Sequence, residues 1–102
     1  MSTEAEVDAA YSARERTLDA VRRKYHFIEQ TENAKYEKIR VDNWVLVESG
    51  KLSPEQYDDI CMMAWEVRSD VIRDAGNEYN QLSDSTWAEF VKVRDKDLLD
   101  PK

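Results

Sequence analysis

The sequence predicts an all-α protein, a small antiparallel bundle of three or four helices. Its 102 residues include only two glycines and two prolines, whereas a many-stranded sheet would need turn residues much more often. Neither residue type occurs between Ser2 and Ser49. Apolar residues in that stretch recur at the spacing of one helical face. We expect a single domain over residues 1–102, because a chain of this length can bury a modest core.

The first helix is predicted at about residues 4–30, where Thr3 and Glu6 have the spacing of a capping box. Its apolar stripe comprises Val7, Tyr11, Leu18, Val21, Tyr25 and Ile28. A neighbouring row comprises Ala9, Ala13, Ala20, Phe27 and Ala34. The two rows together form a face wide enough for two neighbouring helices, as in a bundle.

The second helix is predicted at about residues 34–48. The stripe falters near Glu32, which occupies a position where an apolar residue is expected. Either one helix continues from about residue 4 to 48, or it breaks and Thr31 or Asn33 caps a new helix. Continuity is slightly favoured, because nothing in this stretch forces a stop.

The run from Trp44 to Val47 is short, apolar and β-branched, and is the most strand-like piece of the chain. Its only plausible strand partner is Glu89–Val93, and two short strands alone would be marginally stable. We therefore predict a helix end that is buried on most sides.

The stretch VESGKLSPEQYDDI, from Val47 to Ile60, resembles half of a calcium-binding EF-hand. With Gly50 at the sixth loop position, ligand positions fall on Val45 and Val47, and Gln56 replaces the bidentate acid. Valine cannot ligate a hard cation, so a metal loop is not expected here.

A turn between helices fits the same stretch better. Gly50 suits the left-handed residue that ends a helix. Ser53 is a natural N-cap, with Pro54 at the first helical position and Gln56 at the capping-box position. This pattern resembles the turn of SHOCT-type helical hairpins; the resemblance is confined to the turn and implies no function.

The third helix is predicted at about residues 54–75, and the fourth at about 85–97. Gly76 and Asn77 form a C-terminal signal, and Ser83–Thr86 form a capping cluster. Tyr79 and Leu82 then belong to the connection. Leu98 and Leu99 could dock on the bundle.

The net charge of −7 makes direct binding to nucleic acid or to an anionic membrane unexpected. The first ten residues lack the basic start and apolar stretch of a signal peptide, and no apolar run is long enough to span a membrane. The single cysteine, Cys61, excludes an internal disulfide. These features predict a cytoplasmic protein.

No constellation of catalytic or metal-binding residues is apparent, so we expect no enzyme activity, no metal and no cofactor. His26 is the only histidine, and hydrolytic zinc sites usually recruit more ligands. Cys61 is predicted on the core side of its helix. The negative charges of Asp58 and Asp59 nearby disfavour a reactive thiolate.

Three tryptophans and five tyrosines exceed what a small core needs, and aromatic residues and methionine are enriched in protein interfaces. Met62 shares the polar side of its helix with Glu66, so we expect it to be exposed. The predicted partner-binding residues are Met62, Trp65, Glu66, Asp58, Asp59, Asp70, Trp44 and Trp87.

The function predicted from these residues is a non-enzymatic protein-binding module, such as a small regulator or inhibitor, whose partner is another protein with a basic surface. A homodimer is also expected. One alternative is an acidic mimic of nucleic acid, with Asp74 and Glu78 adding to the carboxylates. The other is an oligomeric structural or assembly protein, such as a scaffold or virion component.

Overall fold

The structure is a computed structural model that describes residues 3–96, and this part of the chain is all-α, as predicted. Helix α1 spans Glu4–Glu48 and helix α2 spans Pro54–Arg94. The described residues contain no strand. The predicted bundle of three or four helices is wrong, because these residues form two helices. Residue 97 of the predicted last helix and the docking of Leu98 and Leu99 lie outside the described residues.

Helix α1 is continuous, which confirms the favoured alternative for its middle. Thr3 caps the helix, since its Oγ1 accepts a hydrogen bond from the Glu6 amide at 3.1 Å. Glu32 stays within the helix and is buried, and Lys35 one turn later donates to its carboxylate at 3.0 Å. The charged residue therefore keeps its place on the inner side without breaking the helix.

Helix α2 is also continuous, so the predicted break between residues 75 and 85 is wrong. Gly76 lies inside the helix, and Tyr79 and Leu82 are helical rather than part of a connection. The hydroxyls of Ser85 and Thr86 donate to the Leu82 carbonyl oxygen, at 3.2 and 2.7 Å. Such bonds satisfy the hydroxyls within the preceding turn, so these residues do not cap a new helix.

The turn between the helices has the predicted chemistry. Gly50 has a φ of +78°. The Gly50 amide donates to the Val47 carbonyl oxygen at 3.0 Å and the Lys51 amide to that of Leu46 at 2.9 Å, the two bonds of a Schellman motif. Ser53 and Gln56 then exchange reciprocal side-chain to amide bonds at 3.1 and 2.9 Å. The capping box and the left-handed glycine are both confirmed.

The two glycines are expected to respond oppositely to alanine. Gly50→Ala should lower the free energy of unfolding by about 1 kcal/mol, because an L-residue is strained at positive φ. Gly76→Ala should raise it by about 1 kcal/mol, since alanine is the better helix former. The added Cβ would lie 3.7 Å from Tyr25 Cε2, an ordinary contact. Urea titration followed by circular dichroism measures both; a loss at Gly76 would contradict this account of α2.

The chain divides into two compact units, and the single domain over residues 1–102 stays a prediction. Unit 1 comprises Met1–Lys24 and Asn77–Lys102. Its described part holds the two buried apolar side chains, Leu18, 2% exposed, and Phe90, 8% exposed. The Phe90 ring contacts Tyr11 at a centroid distance of 5.9 Å. The core of this unit is therefore small and local.

Unit 2 comprises Tyr25–Gly76, in which the end of α1 and the start of α2 form an antiparallel hairpin. The edge-on contact of Tyr36 with Trp65, at 5.3 Å between ring centroids, sets the register. Trp44 lies on Tyr57 in the same register, at 5.4 Å. The predicted burial of Trp44–Val47 on most sides is wrong: Trp44 and Val45 are exposed, because α1 has one neighbouring helix in this unit.

Candidate protein-binding surface

The predicted partner-binding residues do not all lie in the same unit. Trp87 belongs to unit 1, and the others belong to unit 2. Within unit 2, Met62 is 60% exposed, in agreement with its predicted exposure, and Trp44 and Trp65 are about half exposed. Unit 2 therefore carries most of the large apolar side chains that the sequence assigned to a partner.

Met62 and Trp65 lie on one side of α2, since residues three apart are neighbours on a helix. Asp58 and Glu66 are each four residues from Met62 and stand beside it. On α1, successive residues are rotated by about 100° around the helix axis. Counted from the inner positions, this rotation places Trp44 on the same side of the hairpin as Met62 and Trp65. We call Trp44, Met62 and Trp65 the aromatic face.

Trp65 is held firmly although half of it is exposed. Its ring contacts Tyr36 edge-on, and the Arg68 guanidinium lies 4.4 Å from its centroid. Arg68 is fixed in turn by a hydrogen bond that its Nε donates to Asn33 Oδ1. An indole positioned in this way loses little conformational freedom when a partner covers it.

Trp44 stands near the turn among further exposed apolar groups. Val41 and Val45 flank it on α1, and Tyr57 supports it from α2. Partial burial raises the pKa of the Tyr57 hydroxyl, and an interaction with Cys61 adds to the increase. The phenol therefore stays neutral and serves as a packing and hydrogen-bonding group.

The acids beside the aromatic face differ in their pairing. Within residues 3–96, no ion pair involves Asp58, Asp59 or Glu66. Asp70 pairs with Arg73 at 3.1 Å, so much of its charge is compensated. The unpaired carboxylates give the side of α2 near Met62 a negative potential.

A second surface of unit 2, an apolar groove between α1 and α2, was not among the predicted sites. Glu32, Lys35 and Arg68 border it. The apolar groove is lined by Tyr36, Ile39, Ile60, Met63, Ala64 and Val67. Met63 and Val67 are largely exposed within it. The groove therefore presents apolar side chains that no other part of unit 2 covers.

The sequence contains a signal for this groove. Helix α2 carries two apolar rows, an inner row through Tyr57, Ala64 and Ile72 and a second row through Ile60 and Val67. A helix with two apolar rows can contact two neighbours. Within unit 2, α2 has one neighbouring helix, so the second row is left uncovered.

Trp87 has a different environment in unit 1. Its ring packs on Phe90 at 5.3 Å between centroids. The guanidiniums of Arg14 and Arg94 lie 5.2 and 5.5 Å from its centroid. These contacts are intramolecular cation–π interactions, and a role of Trp87 in partner binding stays a prediction.

The candidate chemical residues do not assemble into a site. His26 is exposed and contacts the Tyr25 ring edge-on. Cys61 is half-buried beside Tyr57, less buried than predicted. Among the described residues, no three histidine, cysteine, aspartate or glutamate side chains are grouped so that they could hold a metal ion. No described helix combines the length and apolarity of a bilayer-spanning segment.

Comparison of the chain with protein families, with characterised proteins and with solved structures finds no match.

Proposed function

We propose that the protein is a non-enzymatic, cytoplasmic protein-binding module, a small regulator or inhibitor that contacts its partner through the aromatic face. The exposure of Met62 and the fixed, half-exposed ring of Trp65 carry this proposal. Tryptophan is among the residues that contribute most binding energy at interfaces. Methionine adapts to irregular apolar surfaces.

The expected partner is a protein with an apolar pocket bordered by basic groups. The pocket would receive Met62 and Trp65, and the basic groups would face the carboxylates of Asp58 and Glu66. Apolar contacts then supply most of the affinity, while the charges orient the encounter and raise the association rate.

Mimicry of nucleic acid has less support from the structure. Asp70 and Asp74 both lie within ion-pair distance of Arg73. In unit 1, Glu78 pairs with Lys24 at 3.2 Å. These cations reduce the negative field that a nucleic-acid mimic requires.

Met62→Asp is expected to lower the affinity for the partner at least about tenfold, because a buried carboxylate replaces an apolar contact. Tagged wild-type protein and this variant would be used to capture partners from nuclease-treated lysate of the source cells. Asn80→Asp places the same residue at an exposed position of α2 in unit 1, and should leave capture unchanged.

The capture is washed in parallel at low and high salt. A partner retained at high salt and lost with Met62→Asp supports the aromatic face. Equal capture by wild type and Met62→Asp contradicts it. A nucleic-acid-binding partner that is lost at high salt from both proteins favours mimicry, because salt screens contacts between exposed charges.

A further inference from the structure

Unit 2 lacks an apolar core of its own. All of its residues are described, and its one buried residue is Glu32, 8% exposed. Beside it, Met63 in the apolar groove is 66% exposed. Small proteins whose core buries little apolar surface often gain stability from a metal, from disulfides or from oligomerisation. The groove is the place where the missing burial can occur.

We infer that a second copy of this chain covers the apolar groove, so that two copies of unit 2 form a four-helix bundle with two-fold symmetry. This inference goes beyond the proposed function. The groove and the aromatic face lie on opposite sides of the hairpin, and the dimer leaves Met62 and Trp65 accessible.

The missing core favours a second copy over an unrelated partner. A partner that is present only at times would leave unit 2 without its apolar core whenever it is absent. A second copy is made together with the first. Four helices packed around apolar positions from each form a larger core than two helices do.

The size of the groove side is sufficient for such a dimer. A helix of about 20 residues is about 30 Å long and each helix is roughly 10 Å wide. The two helices of unit 2 therefore present a side of roughly 600 Å². Stable interfaces bury about 800 Å² on each partner, with a lower range near 600 Å².

Charges beside the groove select one of the two symmetric arrangements. On α1, Lys35 borders the groove and pairs with Glu32 at 3.0 Å, and Lys38, three residues later, pairs with Asp42 at 2.9 Å and keeps most of its side chain exposed. On α2, Asp59 lies four residues before Met63 and Asp70 seven residues after it, so both stand next to Met63 on the outer side. A two-fold axis parallel to the helices sets α1 of one copy against α2 of the other. The lysines on α1 of one copy then face the acids on α2 of the other. An axis across the helices would set lysines against lysines.

The register of the two helices places these charges at the same position along the helix axes, which we call their height. Tyr36 lies opposite Trp65, so Lys38 is level with Met63 of its own hairpin. Rotation about an axis parallel to the helices preserves height. Lys38 therefore comes level with Met63 of the second copy and within about one turn of its Asp59.

The test is sedimentation equilibrium of the purified full chain over a wide concentration range. Wild type should have twice the 12.0 kDa mass of one chain. It should dissociate on dilution with loss of helical circular dichroism, since unit 2 depends on the dimer. A folded monomer at every concentration, or a closed trimer, overturns the inference.

Met63 and Met62 provide a matched pair of variants, adjacent in sequence and similarly exposed. Met63→Asp should raise the dimer dissociation constant at least about 100-fold, because symmetry places two carboxylates in the interface. Met62→Asp should leave it unchanged. If Met63→Asp does not fold, Lys38→Glu should weaken the dimer and added Asp59→Lys should restore it. Dimers unaffected by Met63→Asp contradict the assignment.

These measurements separate the two proposals. A monomeric wild type with capture that depends on Met62 overturns the dimer and leaves the proposed function standing. A dimer that depends on Met63, with capture independent of Met62, overturns the proposed function and leaves the dimer standing.

Discussion

Phe90→Ala is expected to lower the free energy of unfolding by about 3 kcal/mol, at the lower end of the range for a buried phenylalanine. Phe90 is one of two buried apolar side chains among residues 3–96. Tyr11 and Trp87 pack on its ring at 5.9 and 5.3 Å between centroids. Its removal takes an aromatic contact from each of these rings, and unit 1 has little other buried apolar surface to compensate.

Phe27 is the matched control, because it is the chain's other phenylalanine and is 69% exposed. Phe27→Ala should change the free energy of unfolding by less than about 0.5 kcal/mol. Both variants are measured by urea titration at the same protein concentration, so that any association equilibrium affects them equally. Equal losses for the two variants would mean that Phe90 does not form a core, and Phe90→Leu should recover part of the loss if it does.

Local structure was predictable where one or two residues decide it. Gly50 at positive φ and the reciprocal bonds of Ser53 and Gln56 follow from their own chemistry, and the sequence places each of them correctly. The all-α class followed from the scarcity of glycine and proline and from the apolar period. The number of helices did not follow, because signals such as Gly76 and Ser83–Thr86 also occur inside helices.

The candidate site was predictable in part for a related reason. The exposure of Met62 follows from its position on the polar side of α2, and this position depends only on the helical period. Met63 and Val67 belong to an apolar row, and a row reveals that a neighbour is needed without revealing which chain supplies it. The apolar groove was therefore not identified from the sequence, and unit 2 leaves both side chains exposed in it.

Ser85→Pro tests whether α2 is continuous. In a continuous helix, this substitution should lower the free energy of unfolding by about 3 kcal/mol or more. In a continuous helix, residue 85 donates its amide to the carbonyl of residue 81, and proline removes that bond and clashes with that carbonyl. If a separate helix began at residue 85, proline would occupy its first position and be tolerated. One substitution thus distinguishes the observed helix from the predicted break.

Two controls isolate the backbone effect of Ser85→Pro. Ser85→Ala removes the hydroxyl bond to the Leu82 carbonyl alone, and should change the unfolding free energy by less than about 0.5 kcal/mol. Glu4→Pro places proline at the true first position of α1, behind the Thr3 cap, and should be nearly neutral. A loss for Ser85→Pro as small as that for Glu4→Pro would place a helix start at residue 85. A large loss of unfolding free energy for Ser85→Pro means that the helix is continuous through residue 85, as in the α2 that spans Pro54–Arg94.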